Sequence, residues 1–577
     1  MTTKCSENDC PRSVYESENK CVLHCAKSMS RHNYTDFLEE QKDFCLALFE
    51  YVFTDDVIEK LSFSVDDEGM ALKQKKAVLQ KTIFGSRPSQ IKIKQSIVFK
   101  KIHFPRIDKS PLNYRRILQV MEDIHFDFCE FYGTSLDQID GEVFFQDCKF
   151  RNEWQLQNFN IRKSDPGYVY DECHFKRKIS QTKGMVSNPQ FNELCKFDKG
   201  LELKDIQIKA NIFSIDNQPE DNSSLSNFGA MKGEFEFTDC TFSTDQEIFL
   251  ANAEEASFSL KRCTFEKKFK IRGLEYTKSY EYQQEHKAAL ESLTFTSCKV
   301  ANDEDSYLRI GFLKDCEFSL KNLKNQQSSE LNIGDCHFSS FELTNFRNLG
   351  KFKLFKINIW EGEVSSKFKI DNTSIGNTDF QSLDLTSFSK VFMFDNIFSE
   401  IDYTNVQWPK TIYVDQFQKD SDGDVAKKRD SYRMLKNVAL KNNDRPQALE
   451  FYAQEMENHY EITQWNPSFG DKLTLWFNKF TNQFGMSWAR PLVYLVISSL
   501  LLYACLYFSL LNNSSGYLIL PPWENYWTFL NPMHKVEFML PKYWNGWTYF
   551  IDLLFRVIQA LLIYQTIQAF RKFTRPL

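Results

Sequence analysis

The residues of this chain best suited to chemistry stand near its start. In "CSENDCPRSVYESENKCVLHC", Cys5, Cys10, Cys21, His24 and Cys25 fall within 21 residues. Two thiols with four residues between them, a spacer of ten, then Cys-x2-His supply the soft and borderline donors of a tetrahedral structural zinc. A closed shell leaves no open position for a substrate, so the expected cofactor is a structural zinc on Cys5, Cys10, Cys21 and His24, with Cys25 an alternative to His24. A second group lies near the other end, inside "WTYFIDLLFRVIQALLIYQTIQAF". There Asp552, Arg556, Gln559 and Thr566 share one face of a helix whose other faces are mostly apolar. Charges in such a helix are costly unless satisfied, so Asp552 and Arg556, one turn apart, should pair with each other or a neighbour and turn away from lipid.

Catalytic patterns are missing. The nine histidines are dispersed, Gly is only 20 of 577 residues, and no HExxH, GxSxG, Walker A or Rossmann glycine pattern occurs. No carboxylate pair is singled out by spacing, so an enzyme is not expected. A net charge of −6 gives no global basic field, and no nucleic-acid partner is expected.

The elements that must position these residues differ along the chain. Residues 491–511 hold 21 residues without a charge, and residues 546–570 form a second, less apolar stretch; both are long enough to cross a bilayer. Lys472, Lys479 and Arg490 precede the first, and Arg571, Lys572 and Arg575 follow the second, while the intervening segment has only Lys535 and Lys542. The positive-inside rule then places both flanks in the cytoplasm and residues 512–545 outside. Trp523, Trp527, Trp544 and Trp547 suit the outer interface, and Trp476 and Trp488 the inner one. The start is polar and carries no secretory signal, so the expected location is a bacterial-type inner membrane, multi-pass, with the large N-terminal part cytoplasmic and its cysteines reduced.

Most of the chain repeats one frame: an apolar residue, Cys three later, an aromatic two after that. It appears as Phe126/Cys129/Phe131, Phe145/Cys148/Phe150, Phe237/Cys240/Phe242, Leu313/Cys316/Phe318 and Ile333/Cys336/Phe338, among others. Spacings of three and two fit neither a plain strand nor a helix. The middle residue recurs at 298, 316, 336, 357 and 378, in steps of 18, 20, 21 and 21. A fixed period near twenty marks a solenoid whose turns bury their apolar sides against their neighbours. Over about residues 95–410 the frame resembles the pentapeptide-repeat family. That resemblance implies a right-handed quadrilateral β-helix, here irregular, with a large residue and a small one alternating inward. Some 12 to 16 turns, stacked at about 4.8 Å, would make a rod of roughly 60 to 75 Å.

Flanking segments complete the plan: a Cys/His module (1–28), a helical N-terminal cap (29–94), the β-helix (95–415), a helical hairpin (420–465), an interfacial segment (466–490), the two spans, and a basic end (571–577). In the cap, Phe37, Phe44, Leu48 and Tyr51 share a helical face. The hairpin joins two helices at Asn442 to Arg445, with Pro446 in the first turn of the second, and resembles a single tetratricopeptide-like unit. The fold class is thus mainly β, with helical caps and two C-terminal transmembrane helices. This plan resembles bacterial membrane proteins that join pentapeptide repeats to a two-span, channel-like tail. The resemblance, with the polar stripe, implies a homo-oligomeric pore-forming or membrane-gating protein, of the kind used in defence against phage. The alternative is a non-conducting, membrane-tethered scaffold that binds a protein partner through its β-helix.

Overall fold

The computed structural model describes residues 4–7, 10–13, 19–27, 34–61, 70–85, 92–106, 113–137, 139–162, 167–192, 194–213, 230–250, 253–273, 289–359, 366–413, 422–513, 523–539 and 541–574. They form two compact units, Met1–Phe392 with Ser399–Thr411, and Met393–Phe398 with Ile412–Leu577.

The first unit is a parallel β-solenoid of about 11 turns. The number falls short of the 12 to 16 expected, and at about 4.8 Å per turn the stack measures roughly 50 Å. Long segments between stacked strands consume the difference: Leu203 pairs with Phe237 and Leu260 with Phe295, 34 and 35 residues on.

The spacing of three and two has a local cause. The residue before the inward small residue lies in the left-handed region, as at Phe128 (φ 52°), Asp147 (51°), Asp239 (56°) and Asp335 (52°). One such residue bends the strand and brings the next side chain inward, out of alternation. Asp and Asn recur there because their short polar side chains tolerate this backbone. A thiol then fills the narrow corner and reaches the preceding turn: Cys129 Sγ lies 3.2 Å from the Phe99 carbonyl oxygen, Cys263 3.3 Å from that of Phe237, and Cys298 3.3 Å from that of Leu260. Phe126, Cys129, Phe131, Phe145, Cys148, Phe150, Phe237, Cys240, Phe242, Cys316, Phe318, Cys336 and Phe338 are all buried. Their rings stack in columns, Phe126 on Phe145 at 4.7 Å and Phe131 on Phe150 at 4.9 Å. All fifteen cysteines are free of disulfides.

The register shows that the frame does not form a single column. Phe126 stacks with Phe145 and Tyr170; Phe237 stacks with Leu260, Phe295, Leu320 and Leu343; Ile333 stacks with Ile310 and Leu354. Of the steps from 298 to 378, only 336 to 357 joins vertically paired residues, since Cys316 pairs with Phe338 and Thr378 with Phe352. The same left-handed corner recurs at several corners of a turn, so the motif marks a bend and not a turn.

Helices cover the first turns: α1 (Tyr34–Val52), α2 (Asp55–Lys60), α3 (Leu72–Ile83) and the short α4 (Arg115–Gln119). Phe44 meets Phe104 edge-on at 5.7 Å, Leu48 is buried, and Tyr51 stacks on Phe99 at 5.8 Å and donates to the Val98 carbonyl at 3.0 Å. The side chain of Phe37 lies outside the described residues.

The second unit is helical. α5 (Asp422–Lys441) and α6 (Arg445–Ile462) form the hairpin; Asp444 caps α6 by accepting from the Gln447 amide at 3.2 Å. Between them the buried Glu455 accepts from Arg433 at 2.8 Å and Lys436 at 2.6 Å. Then follow α7 (Phe469–Asn482), α8 (Ala489–Asn513), α9 (Trp523–Leu530) and α10 (Gly546–Thr574). α8 and α10 are long and apolar enough to cross a membrane.

Candidate functional site

The first cluster grows from two tight backbone folds. The Cys5 amide donates to the Arg12 carbonyl at 2.9 Å, closing a small hairpin with a Lys4–Ser13 bridge, and the amides of His24 and Cys25 both donate to the Cys21 carbonyl at 3.0 Å. These folds aim four side chains at one point. Cys10 Sγ lies 3.7 Å from Cys21 Sγ, and His24 Nδ1 lies 3.5 Å from Cys5 Sγ and 3.4 Å from Cys21 Sγ. All four donor atoms fall within 4.8 Å of one another, so the group could hold a metal ion. Cys25 points elsewhere: its Sγ lies 3.7 Å from the Val22 carbonyl oxygen and 3.2 Å from Lys27 Nζ. The geometry therefore selects His24.

Electrostatics suit a ligand set. Burial opposes ionisation of Cys5, but hydrogen bonds, first from the Cys21 amide at 3.2 Å, outweigh it and hold this thiol below its usual value. Burial, with the neighbouring Cys21 and Cys5, pushes Cys10 up to about 11. That opposition between adjacent thiols is what a cation among them relieves. Burial also lowers His24, favouring the neutral imidazole that binds metals. The cluster is tied to the solenoid, because the His103 amide donates to the Leu23 carbonyl at 2.8 Å, and Glu7 pairs with Lys20 at 2.6 Å and Lys101 at 3.4 Å.

In the second unit Asp552, Gln559 and Thr566 of the α10 stripe are buried, Arg556 is half-buried, and all four are hydrogen-bonded. Asp552 accepts from Arg556 Nε at 2.9 Å and lies 2.8 Å from His534 Nε2; Arg556 Nη2 donates to the His534 carbonyl at 2.8 Å. Gln559 Nε2 donates to the Leu495 carbonyl and Ser498 Oγ of α8, both at 3.2 Å. Thr566 Oγ1 donates to the Leu562 carbonyl at 2.8 Å. Immediately before Thr566, Gln565 donates to Asn478 Oδ1 of α7 at 2.9 Å and accepts from Asn482. Sequence reasoning missed His534. It sits in an irregular connection where no helical or strand period links it to Asp552, 18 residues away, and only its being buried beside a carboxylate marks it.

A scan against protein-family models and searches of curated proteins and solved structures return no match to this chain.

Proposed function

We propose that this chain is a membrane-tethered scaffold, in which α8 and α10 anchor a metal-capped β-solenoid that binds a protein partner along its faces. The observation that carries this reading is the fate of the α10 stripe. Asp552, Arg556, Thr566 and the amide nitrogen of Gln559 bond to His534, α8 and α10 itself, which stabilises a two-span anchor, while the buried Gln559 Oε1 has no partner among the described residues. An oligomeric pore, with or without a role in phage defence, draws its support from a stripe free to face a lumen, and this support is correspondingly reduced. The metal is proposed to be zinc. Bonds of about 2.3 Å to sulfur and about 2.0 Å to nitrogen give tetrahedral edges of about 3.8 Å (S–S) and about 3.5 Å (S–N). The observed 3.7, 3.5 and 3.4 Å agree with these edges. The Lys and Arg asymmetry supports an inner-membrane topology with both flanks cytoplasmic, where thiols remain reduced.

The test is reconstitution of the full chain in liposomes, beside an Asp552→Ala/Arg556→Ala variant. The anchor reading expects the native chain to resist alkaline extraction and to pass no ions across varied salt, pH and voltage. Ion flux that the double substitution alters would overturn it in favour of the pore.

A further inference from the structure

We infer that residues 523–539, which connect α8 to α10, enter the bilayer as a re-entrant hairpin whose exposed apolar side chains face lipid acyl chains. The inference rests on α8 and α10 spanning the membrane.

Contacts with the two spans fix the depth of the segment. The Tyr526 hydroxyl lies 2.9 Å from Ser499 Oγ, and the rings of Tyr526 and Phe529 lie 5.4 and 5.5 Å from that of Tyr503. Ser499 and Tyr503 stand 12 and 8 residues before Leu511, after which Asn512 and Asn513 end the apolar run of α8. At about 1.5 Å per residue, they lie roughly 18 and 12 Å from that end. From the other side, Phe529 stacks on Phe555 at 3.7 Å. Phe555 lies nine residues into α10, about 14 Å along it. Half the hydrocarbon thickness is about 15 Å. Even with the reach of a Tyr side chain, about 6 Å, a connection confined to the aqueous face cannot make these contacts.

Irregular backbone at such depth must have its polar groups satisfied by protein. Here it does. The Asn531 carbonyl accepts from the His534 amide at 3.0 Å and from His534 Nδ1 at 2.7 Å, while Asn531 Oδ1 accepts from the Met533 amide at 3.0 Å. The His534 carbonyl takes its bond from Arg556, whose charge Asp552 balances. The buried Asp552 and the half-buried Arg556 thus sit beside this irregular backbone, which explains their place in an otherwise apolar helix. The ascending arm then returns to the surface: Glu537 accepts from the hydroxyl of Tyr549, only three residues into α10. The side facing away from the spans exposes apolar side chains, beside the exposed Asn531 and Lys535. Trp523, Trp527 and Met533 are 69, 68 and 85 % exposed, while Tyr526, Phe529 and Met539 are buried against the spans. Continuity with the lipid-facing surfaces of α8 and α10 identifies the occupant as lipid.

The experiment uses the full chain with Cys505, the one exposed thiol among fifteen, changed by Cys505→Ser. Cysteine is introduced separately by Trp527→Cys, Met533→Cys, and, as span controls, Leu501→Cys and Leu553→Cys. Each carries a nitroxide, and collision with oxygen and with a water-soluble nickel chelate is measured in phosphatidylcholine liposomes. Residues 527 and 533 are expected to match the span controls, with high oxygen and low nickel accessibility. His534→Ala should raise nickel accessibility at 533 several-fold while leaving 501 unchanged. Nickel accessibility at 527 and 533, with 501 and 553 still protected, would overturn the re-entrant hairpin alone. Nickel accessibility at all four would overturn the spans and the hairpin with them. Protection of 527 and 533 from both colliders would overturn lipid as the occupant and identify a second copy of the chain on that face.

Discussion

Cys21 holds the candidate metal cluster together. Its Sγ lies 3.7 Å from Cys10 Sγ and 3.4 Å from His24 Nδ1, and its amide donates to Cys5 Sγ. Cys21→Ser should therefore abolish metal binding, read as loss of the one equivalent of zinc expected in the purified protein by elemental mass spectrometry. Cys25→Ser, which removes a thiol turned toward Val22 and Lys27, should leave that zinc in place. Nearby, burial lowers His103 to about 4 despite the opposing charge of Glu130. Its ordinary value is about 6.5, so between about 6.5 and 4 the unfolded chain binds a proton that the folded chain refuses. Stability from this group is full above that window and is lost as pH falls through it, by at most about 1.4 kcal/mol per pH unit. A His103→Gln variant should show a flatter dependence of the urea midpoint between pH 6.5 and 4; an unchanged slope would reject this account.

Among the elements, the solenoid depends on close approach between turns. Gly200 has φ +86°, and a Cβ there would stand 2.0 Å from the backbone oxygen of Glu234 on the next turn. Gly200→Ala should cost more than about 2 kcal/mol in chemical denaturation, since neither partner is a flexible side-chain end. In the α5–α6 hairpin, Glu455→Ala removes two charge-assisted bonds from a buried site and should cost about 1.5–3 kcal/mol. Arg433→Ala, at a side chain that is half exposed, should cost less. The helices and the repeat were readable because apolar periodicity is local. The hairpin appears as read, with α5 ending at Lys441 and α6 beginning at Arg445. The vertical register was not readable. Cys240 and Cys336 carry the same frame yet belong to different columns, because one left-handed corner looks the same in sequence wherever it occurs in the turn.

At the scale of the whole molecule, the candidate metal cluster is joined to the solenoid through the Leu23–His103 bond. Zinc chelation should expose the N-terminal residues to protease while the solenoid beyond keeps its β circular dichroism. Repeat stacks hold by nearest-neighbour contacts, so losing an end need not melt the rest. Global loss of β signal on chelation would show instead that the cap carries the whole stack.

The sequence by itself determined the elements and marked the candidate ligands. Cys5, Cys10, Cys21 and His24 were legible because metal ligands cluster at short spacings, and α8 and α10 because a bilayer requires long apolar runs. Tertiary structure alone decided between His24 and Cys25, since two adjacent residues of a turn point in different directions. It alone brought His534 to Asp552 and put Gln559 on Leu495, pairings across 18 and 64 residues that no local period encodes. Contacts of that kind depend on how helices pack, and packing is a property of surfaces that the chain acquires only when folded.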